Sequence, residues 1–312
     1  MDMKPIIPFE PIRTDVFPQG EDWIAQVKWD GVRVLTYYDG SRVQLFNRQL
    51  NERTGQYPEL TPIENYCSAN SVILDGEVIA LEKGKPSFHQ VMKRDGIRRL
   101  EKVDRVKQQI EISYMVFDLL FYNGDWVNTL PLKERQKILH EILRPQERVQ
   151  VVDNFPDAPS LFEAIKGQDL EGIVCKKLSS TYAIGGKDNR WQKVKNYRDI
   201  IAAVGGVTLR DGIVNALLLG AYDSEGQFWY IGHAGTGKLT QSDWQELTHR
   251  IQPLRRKVSP FVNRPARMKE AIWLEPEYTV KVRFMEWTGG GTLRQPSIQA
   301  FVQVRPSECR LE

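Results

Sequence analysis

From residue 21 to residue 46 the apolar positions follow a two-residue rhythm. WIAQVKW (23–29) and VRVLTYY (32–38) are β-rich, and DGSRV (39–43) supplies a hairpin turn before VQLF (43–46). These segments predict paired strands. A second strand pair is expected in SVILDGEVIALEKGKPSF, turning at Glu82-Lys83-Gly84-Lys85. ISYMVFDLLFYNG is a further apolar, β-rich run, closed by Asn123-Gly124.

Helical spacing takes over between these runs. LKERQKILHEIL places apolar residues three and four apart, the mark of an amphipathic helix on a core. Ser160 and Glu163 have capping-box spacing, which predicts a short helix opened by Ser160 and closed by Gly167. EGIVCKKL and RWQKVKNY complete a mixed α/β unit. The character changes near residues 197–200. Beyond it come short strands and glycine turns: AAVGGVTL, NALLLGAY, FWYIGHAGTG, EYTVKVRFMEW and AFVQVR, with one helix from Ser242 to about Ile251. This pattern predicts a small closed barrel of the OB type. The fold class expected is α+β, with domain bounds of 1–198 and 199–312.

Composition changes little in this picture. The 312-residue length leads us to expect two domains. With no bilayer-length apolar run and no signal-peptide core in MDMKPIIPFEP, a cytoplasmic protein is expected, with no membrane role. Cys67, Cys175 and Cys309 are too scattered for a disulfide framework or a zinc site. The histidines, His89, His140, His233 and His249, form no metal-ligand pair at helical spacing. A net charge of +3 does not by itself announce a nucleic-acid binder, because binding depends on how charge is distributed.

Candidate chemistry begins at Lys28-Trp29-Asp30-Gly31-Val32-Arg33. A lysine attacks a phosphoanhydride only as the free amine, and its unperturbed pKa is about 10.4, so neighbouring cations and a metal ion must help. Gly31 suits a tight turn, and Arg33 is placed to brace a phosphate or ribose. Further along, Leu74-Asp75-Gly76-Glu77 offers a carboxylate at a strand end, and Val116-Phe117-Asp118-Leu119-Leu120 an aromatic face. Glu171-Gly172-Ile173-Val174-Cys175-Lys176 adds a carboxylate and a lysine. Trp191-Gln192-Lys193-Val194-Lys195 sets two lysines on one strand face. Taken singly, Phe117 and Val174 also fit an ordinary core, and Glu77, Glu171 and Lys193 an ordinary surface. Trp191 reads as support for its strand.

In this order the motifs resemble those of the covalent nucleotidyltransferase superfamily, and most closely the ATP-dependent DNA ligases of the bacterial end-joining type. The resemblance covers residues 26–195 and continues into the OB-like remainder. It implies a nucleotidyltransferase (ATP-grasp-like) domain followed by an all-β OB-fold domain. It implies that Lys28 carries AMP, and that Arg33 and Arg48 lie near the ribose and the DNA 5′-phosphate. Glu77 is the expected carboxylate near the ribose and metal, with Glu171 as a metal ligand helped by Asp30. Phe117 is expected to stack on adenine with Val174 on its other side, and Lys193 and Lys195 to neutralise the α-phosphate. Gln26 and Val27, just before the nucleophile, complete the nucleotide set. The implied cofactors are ATP and Mg²⁺ or Mn²⁺. The implied partner is nicked or broken duplex DNA, with a Ku-type end-binding protein as a further partner, a monomeric state and a nucleoid-associated location.

The sequence departs from the family pattern in three places. Gln26 stands where the family usually has a glutamate facing the adenine amine, and a glutamine carbonyl can still accept that hydrogen bond. Lys187 stands where arginine is usual in a loop beginning at Tyr182, which keeps the charge and loses the fork. The C-terminal motif keeps Leu293-Arg294-Gln295-Pro296-Ser297 but ends Phe301-Val302-Gln303-Val304-Arg305, so Arg294 or Arg305 is the candidate to orient pyrophosphate. A basic cluster of Arg250, Arg255, Arg256, Lys257, Arg264, Arg267 and Lys269 is the expected DNA-contacting face of the second domain. Two other readings share the lysine motif or the domain plan. One is an RNA ligase or mRNA-capping guanylyltransferase; the other is a non-catalytic DNA-binding protein with a decayed nucleotide site.

Overall fold

The computed structural model describes residues 3–168, 170–265 and 270–311. Backbone packing divides the chain into two compact units, Met1–Asn196 and Tyr197–Glu312.

The first unit contains strands β1 (Glu10–Arg13), β2 (Trp23–Val27), β3 (Val32–Tyr38), β4 (Val43–Asn47), β5 (Val72–Glu82) and β6 (Lys85–Pro86). These are followed by β7 (Ile112–Tyr122), β8 (Asp125–Trp126), β9 (Val149–Val151), β10 (Gly172–Lys177) and β11 (Lys187–Lys195). Helices α1 (Phe88–Asp95), α2 (Val103–Gln109), α3 (Leu132–Ile142) and α4 (Ala158–Gly167) lie between them. One sheet has the order β4-β3-β5-β7-β8, with β6 on β5 and β9 parallel to β7; the other is β1-β11-β10-β2. The hairpins turn where expected: Lys83-Gly84 at φ 53° and 79°, and Asn123-Gly124 at φ 47° and 101°. Paired positive φ values are what a two-residue hairpin loop requires.

Two expectations are corrected. β2 does not pair with β3; it lies antiparallel to β10, in the other sheet. Local alternation identifies a strand but not its partner, and this partner is far away in sequence. α4 begins at Ala158 rather than at Ser160. Asp157 is its cap, with its carboxylate accepting from the Ser160 backbone N–H at 3.2 Å. Asp157 competes well for that place because a carboxylate is as good an N-cap as a hydroxyl.

Alternation along the strands sorts side chains into layers. In the larger sheet, Val34, Leu45, Val72, Leu74, Val78, Tyr114 and Val116 face a core that includes Val91 of α1 and Leu139 of α3. The opposite face presents Leu35, Tyr37 and Ile73 to Phe9, Tyr182 and Trp191. Arg33, Asp75, Glu77 and Phe117 share the odd-numbered face of β3, β5 and β7. In the smaller sheet Ala25, Val27, Ile173, Cys175 and Val194 pack on Ala158, Leu161 and Ile165 of α4. Gln26, Val174 and Lys193 are paired across β2, β10 and β11 and face the other way. Polar site residues therefore come from the two sheet faces that are not covered by helices.

In the second unit, β12 (Arg198–Arg210), β13 (Ile213–Tyr222) and β14 (Phe228–Ala234) form a meander, followed by α5 (Gln241–Arg250). β15 (Arg255–Arg256), β16 (Ile272–Leu274), β17 (Thr279–Phe284) and β18 (Ser297–Val302) complete it. β17 joins β12 to β18. Closure comes from residues just past β14: Ile298 donates its N–H to the Thr236 carbonyl at 2.9 Å, and Lys238 donates to the Ile298 carbonyl at 2.8 Å. This is the closed OB-type barrel, filled by Val204, Leu217, Leu219, Ile231, Val280, Val282 and Ile298. Leu247 and Ile251 pack against that filling. A capping box between Thr240 and Asp243 starts α5. Among the described residues no helix is long and apolar enough to cross a membrane.

Candidate active site

Lys28 follows directly on β2, and its backbone N–H donates to the Gly172 carbonyl at 2.9 Å. Its ammonium lies 2.5 Å from Glu171 Oε2, and Lys195 Nζ lies 3.3 Å from Oε1 of the same carboxylate. Gly172 makes this meeting possible. At φ +147° it breaks the strand alternation just after Glu171, and a Cβ there would come within 2.2 Å of the Val194 carbonyl. Gly31 is needed for a different reason than a turn conformation: a Cβ would meet the Val78 carbonyl at 2.2 Å. The motif glycine lets the chain cross close against β5, where Glu77 stands.

Burial pushes the Glu77 carboxyl up to about 7; Lys28 and Arg33 pull it back, and Glu171 adds to the rise. Lys193 is half-buried, and burial together with the nearby Lys28, Lys195 and Lys187 charges lowers its pKa. The lysines thus form one cationic strip beside two carboxylates, the arrangement that favours an incoming polyphosphate. Asp30, Glu77 and Glu171 do not gather into a three-ligand metal group among the described residues. Glu171 faces lysines instead.

Arg33 is placed differently from the expectation of a phosphate or ribose contact. It forks onto Asp75 at 2.8 and 2.5 Å, donates to the Phe9 carbonyl at 2.6 Å, and reaches the Tyr182 hydroxyl at 3.2 Å. Its guanidinium lies 5.2 Å from the Phe117 ring centroid. Here it braces the aromatic wall. Strand alternation turns the Val27 side chain to α4, away from the face that carries Gln26. Val174 does lie on the site face, in register with Gln26 and Lys193. Arg48 and Lys187 are exposed and share Glu10, each 3.7 Å away.

Trp191, read from the sequence as support for its strand, is buried edge-on to Phe9, Phe117 and Tyr182, so it supports both sheets and the aromatic face. Asp118, Gln136 and Asn154 escaped sequence reading. Lys176 Nζ sits 4.2 Å from the Phe117 centroid and 3.9 Å from that of Trp191. Burial pulls its ammonium down to about 7, against Asp118 and Asp75. Its place two residues after Val174 on a strand was the available signal. Asp118 forks onto Arg135 of α3, both atom pairs at 2.8 Å, which fixes β7 behind Phe117. Gln26 is held by an amide chain: its Nε2 donates to Asn154 at 2.7 Å, Asn154 to Gln136 at 3.2 Å, and Gln136 to the Phe117 carbonyl at 2.6 Å.

In the second unit, Arg255 and Arg256 form an exposed edge strand against β16, rather than part of a helix and loop. Arg256 is 3.0 Å from Glu275, and Arg250 is paired with Glu246. Lys257 and Arg264 are exposed; Arg267 and Lys269 lie outside the described residues. Arg294 is 2.6 Å from Glu286, and Arg305 4.0 Å from Glu308.

A lysine in contact with a carboxylate, a second carboxylate nearby and a lysine strip on facing sheets, in a chain that also carries an OB-type barrel, define a nucleotidyltransferase domain joined to an OB-fold domain. Comparison with known proteins makes the assignment more specific. The family model described as ATP dependent DNA ligase domain matches residues 8–195, and the ATP dependent DNA ligase C terminal region matches residues 210–306. The chain belongs to the ATP-dependent DNA ligase family. The Multifunctional non-homologous end joining protein LigD of Mycolicibacterium smegmatis is 33% identical over 89% of this chain, which spans 36% of that protein. The chain thus covers only about a third of that relative's length. The solved ligase domain of M. tuberculosis LigD aligns over 100% of both chains, with 26% identity and a TM-score of 0.56. A mycobacterial DNA ligase D complexed with ATP and MES aligns over the same share, with 27% identity and a TM-score of 0.54.

Proposed function

We propose that the protein seals breaks in duplex DNA with ATP, through a covalent lysyl-AMP. Lys28 Nζ bonds the α-phosphorus of ATP and pyrophosphate leaves. AMP then passes to a DNA 5′-phosphate, and a 3′-hydroxyl displaces it to form the phosphodiester. Glu171 is placed to take the proton lost by Lys28, while Lys193 and Lys195 offset phosphate charge. Phe117 and Val174 sandwich the base, and the Gln26 carbonyl accepts from its exocyclic amine. Arg48 and Lys187 lie exposed on the rim and serve the DNA strand, with Arg33 holding the aromatic wall.

A divalent metal, Mg²⁺ or Mn²⁺, would be held by Glu77 as a hard oxygen donor together with water and substrate phosphates rather than in an all-protein cage, since Glu171 is already in contact with Lys28 and Lys195. When bound, it supplies charge neutralisation at the phosphoryl group. A role in end joining beside a Ku-type partner is the extension of this reading suggested by the LigD relatives.

The single supporting observation is the contact of Lys28 with Glu171 beside Lys195. The test is intact mass after incubation with ATP and magnesium, then nick sealing, for wild type and Lys28→Ala. An AMP adduct and sealed nicks in wild type alone support the reading. A wild type that gains no adduct, releases no AMP to pyrophosphate and leaves nicks open defeats it, in favour of a DNA-binding protein with a decayed site.

A further inference from the structure

Gln26 poses a chemical problem that a glutamate would not. A carboxylate only accepts hydrogen bonds, so it matches the amine of adenine and opposes the O6 acceptor of guanine. A glutamine can turn its amide and offer either face, so a free Gln26 would not discriminate between the two bases. Here the amide is not free. The chain of contacts ends on the Phe117 backbone carbonyl, which can only accept, so Gln136 must present its Nε2 there, 2.6 Å away. Gln136 Oε1 is then the acceptor for Asn154 Nδ2 at 3.2 Å, and Asn154 Oδ1 the acceptor for Gln26 Nε2 at 2.7 Å. Polarity passes along the chain from an unambiguous end. The Gln26 carbonyl oxygen is left over, and among the described residues no protein donor meets it.

The elements carrying this chain are fixed independently. Gln26 and Gln136 are 2% and 4% exposed. Asn154 bridges them from an exposed segment, which Phe155 ties to β2 by reciprocal backbone bonds with Ala25 at 2.7 and 2.9 Å. The same chain ends on the residue whose ring forms the aromatic face.

The geometry points to Asn154 and Gln136 as positioning residues for purine choice: they lock Gln26 as an acceptor and so make the site prefer adenine over guanine nucleotides. This rests on the nucleotide-binding reading above and adds what sets its base specificity. Two conservative changes separate this role from simple structural support. Asn154→Asp keeps an acceptor for Gln26 Nε2, whereas Asn154→Ala removes it. Gln26→Glu makes the acceptor intrinsic and the relay unnecessary.

The experiment measures ATP and GTP dissociation constants by calorimetry for wild type, Asn154→Ala, Asn154→Asp, Gln26→Glu and the Gln26→Glu/Asn154→Ala pair, with thermal melting as a folding check. Asn154→Ala is expected to lower the ATP-over-GTP preference about tenfold, the size of one well-placed hydrogen bond. Asn154→Asp and Gln26→Glu keep the preference, and adding Asn154→Ala to Gln26→Glu changes it by less than about twofold. An Asn154→Ala protein that retains the wild-type ratio, or weakens both nucleotides equally, overturns the proposal, as does a wild type with no preference for ATP. Adduct mass is read in parallel. A wild type that prefers ATP but never gains AMP on Lys28 sinks the ligase reading and leaves this one standing.

Discussion

Lys28 Nζ lies 2.5 Å from Glu171 Oε2, and the second oxygen of that carboxylate lies 3.3 Å from Lys195 Nζ. One carboxylate therefore holds the proposed nucleophile and a second lysine together, and Gly172 allows it to do so. If Glu171 accepts the proton that Lys28 loses, Glu171→Ala should slow adduct formation by about 10²–10⁴ at saturating ATP, the usual contribution of a positioned acid or base. Rapid-quench measurement of lysyl-AMP would read this directly. A rate within about twofold of wild type would remove Glu171 from the proton's path.

Asp118, next to the aromatic Phe117, serves the fold. Its carboxylate and the Arg135 guanidinium are both fully buried and doubly bonded. Asp118→Ala leaves the arginine charge unpaired in the interior and should destabilise the first unit by about 3–5 kcal/mol. Replacing both, as Asp118→Leu with Arg135→Met, should recover most of that loss, because the cost lies in the unpaired charge. Urea unfolding of the two variants checks it; equal losses would mean that the pair matters by packing alone.

The parts of the structure legible in the sequence were those with local causes. Hairpin turns at Lys83-Gly84 and Asn123-Gly124 need positive φ, and their residue types announce it. Lys28, Glu77, Phe117, Glu171, Lys193 and Lys195 are proposed for the site because motif spacing names them, and the structure puts Lys28 and Lys195 in contact with Glu171. What stayed hidden depends on contacts remote in sequence. The β2–β10 pairing crosses most of the first unit, and it is this pairing that turns Val27 away from the site. Arg33 read as a phosphate hand because its partner Asp75 is a neighbour only across two strands. Asn154 and Gln136 carry no motif at all; they matter because three separate elements bring their amides into line.

Glu77 makes stability depend on pH in a definite sense. Burial raises its carboxyl to about 7, against about 4.3 in an unfolded chain. Above about pH 7 both states hold the anion and the folded state bears its burial cost; below about pH 4 neither does. The carboxylate therefore destabilises the ligand-free protein at pH 8, and that effect fades as pH falls towards 5. Glu77→Gln should stabilise the protein by about 1–3 kcal/mol at pH 8 and by little at pH 5, while adduct formation falls. An equal gain at both pH values would show that the carboxyl is not the titrating cause.

The exposed strand at Arg255-Arg256 and the adjacent Lys257 carry the proposed DNA contact of the second unit, and their ion pairing predicts unequal contributions. Arg256 is 3.0 Å from Glu275, so its charge is already partly offset. Among the described residues no carboxylate lies within ion-pair distance of Arg255 or Lys257. Each phosphate contact contributes about 0.9 to the slope of log affinity against log salt. Arg255→Ala and Lys257→Ala should each flatten that slope by about 0.9 on nicked duplex, and Arg256→Ala by clearly less. Flattening should be the same for unrelated DNA sequences, because phosphate contacts carry no base information. Fluorescence anisotropy between about 50 and 200 mM salt resolves such slopes. Unchanged slopes in all three variants would move the DNA footprint off this edge, and a larger effect for Arg256 than for Lys257 would mean that Glu275 releases its partner when DNA binds.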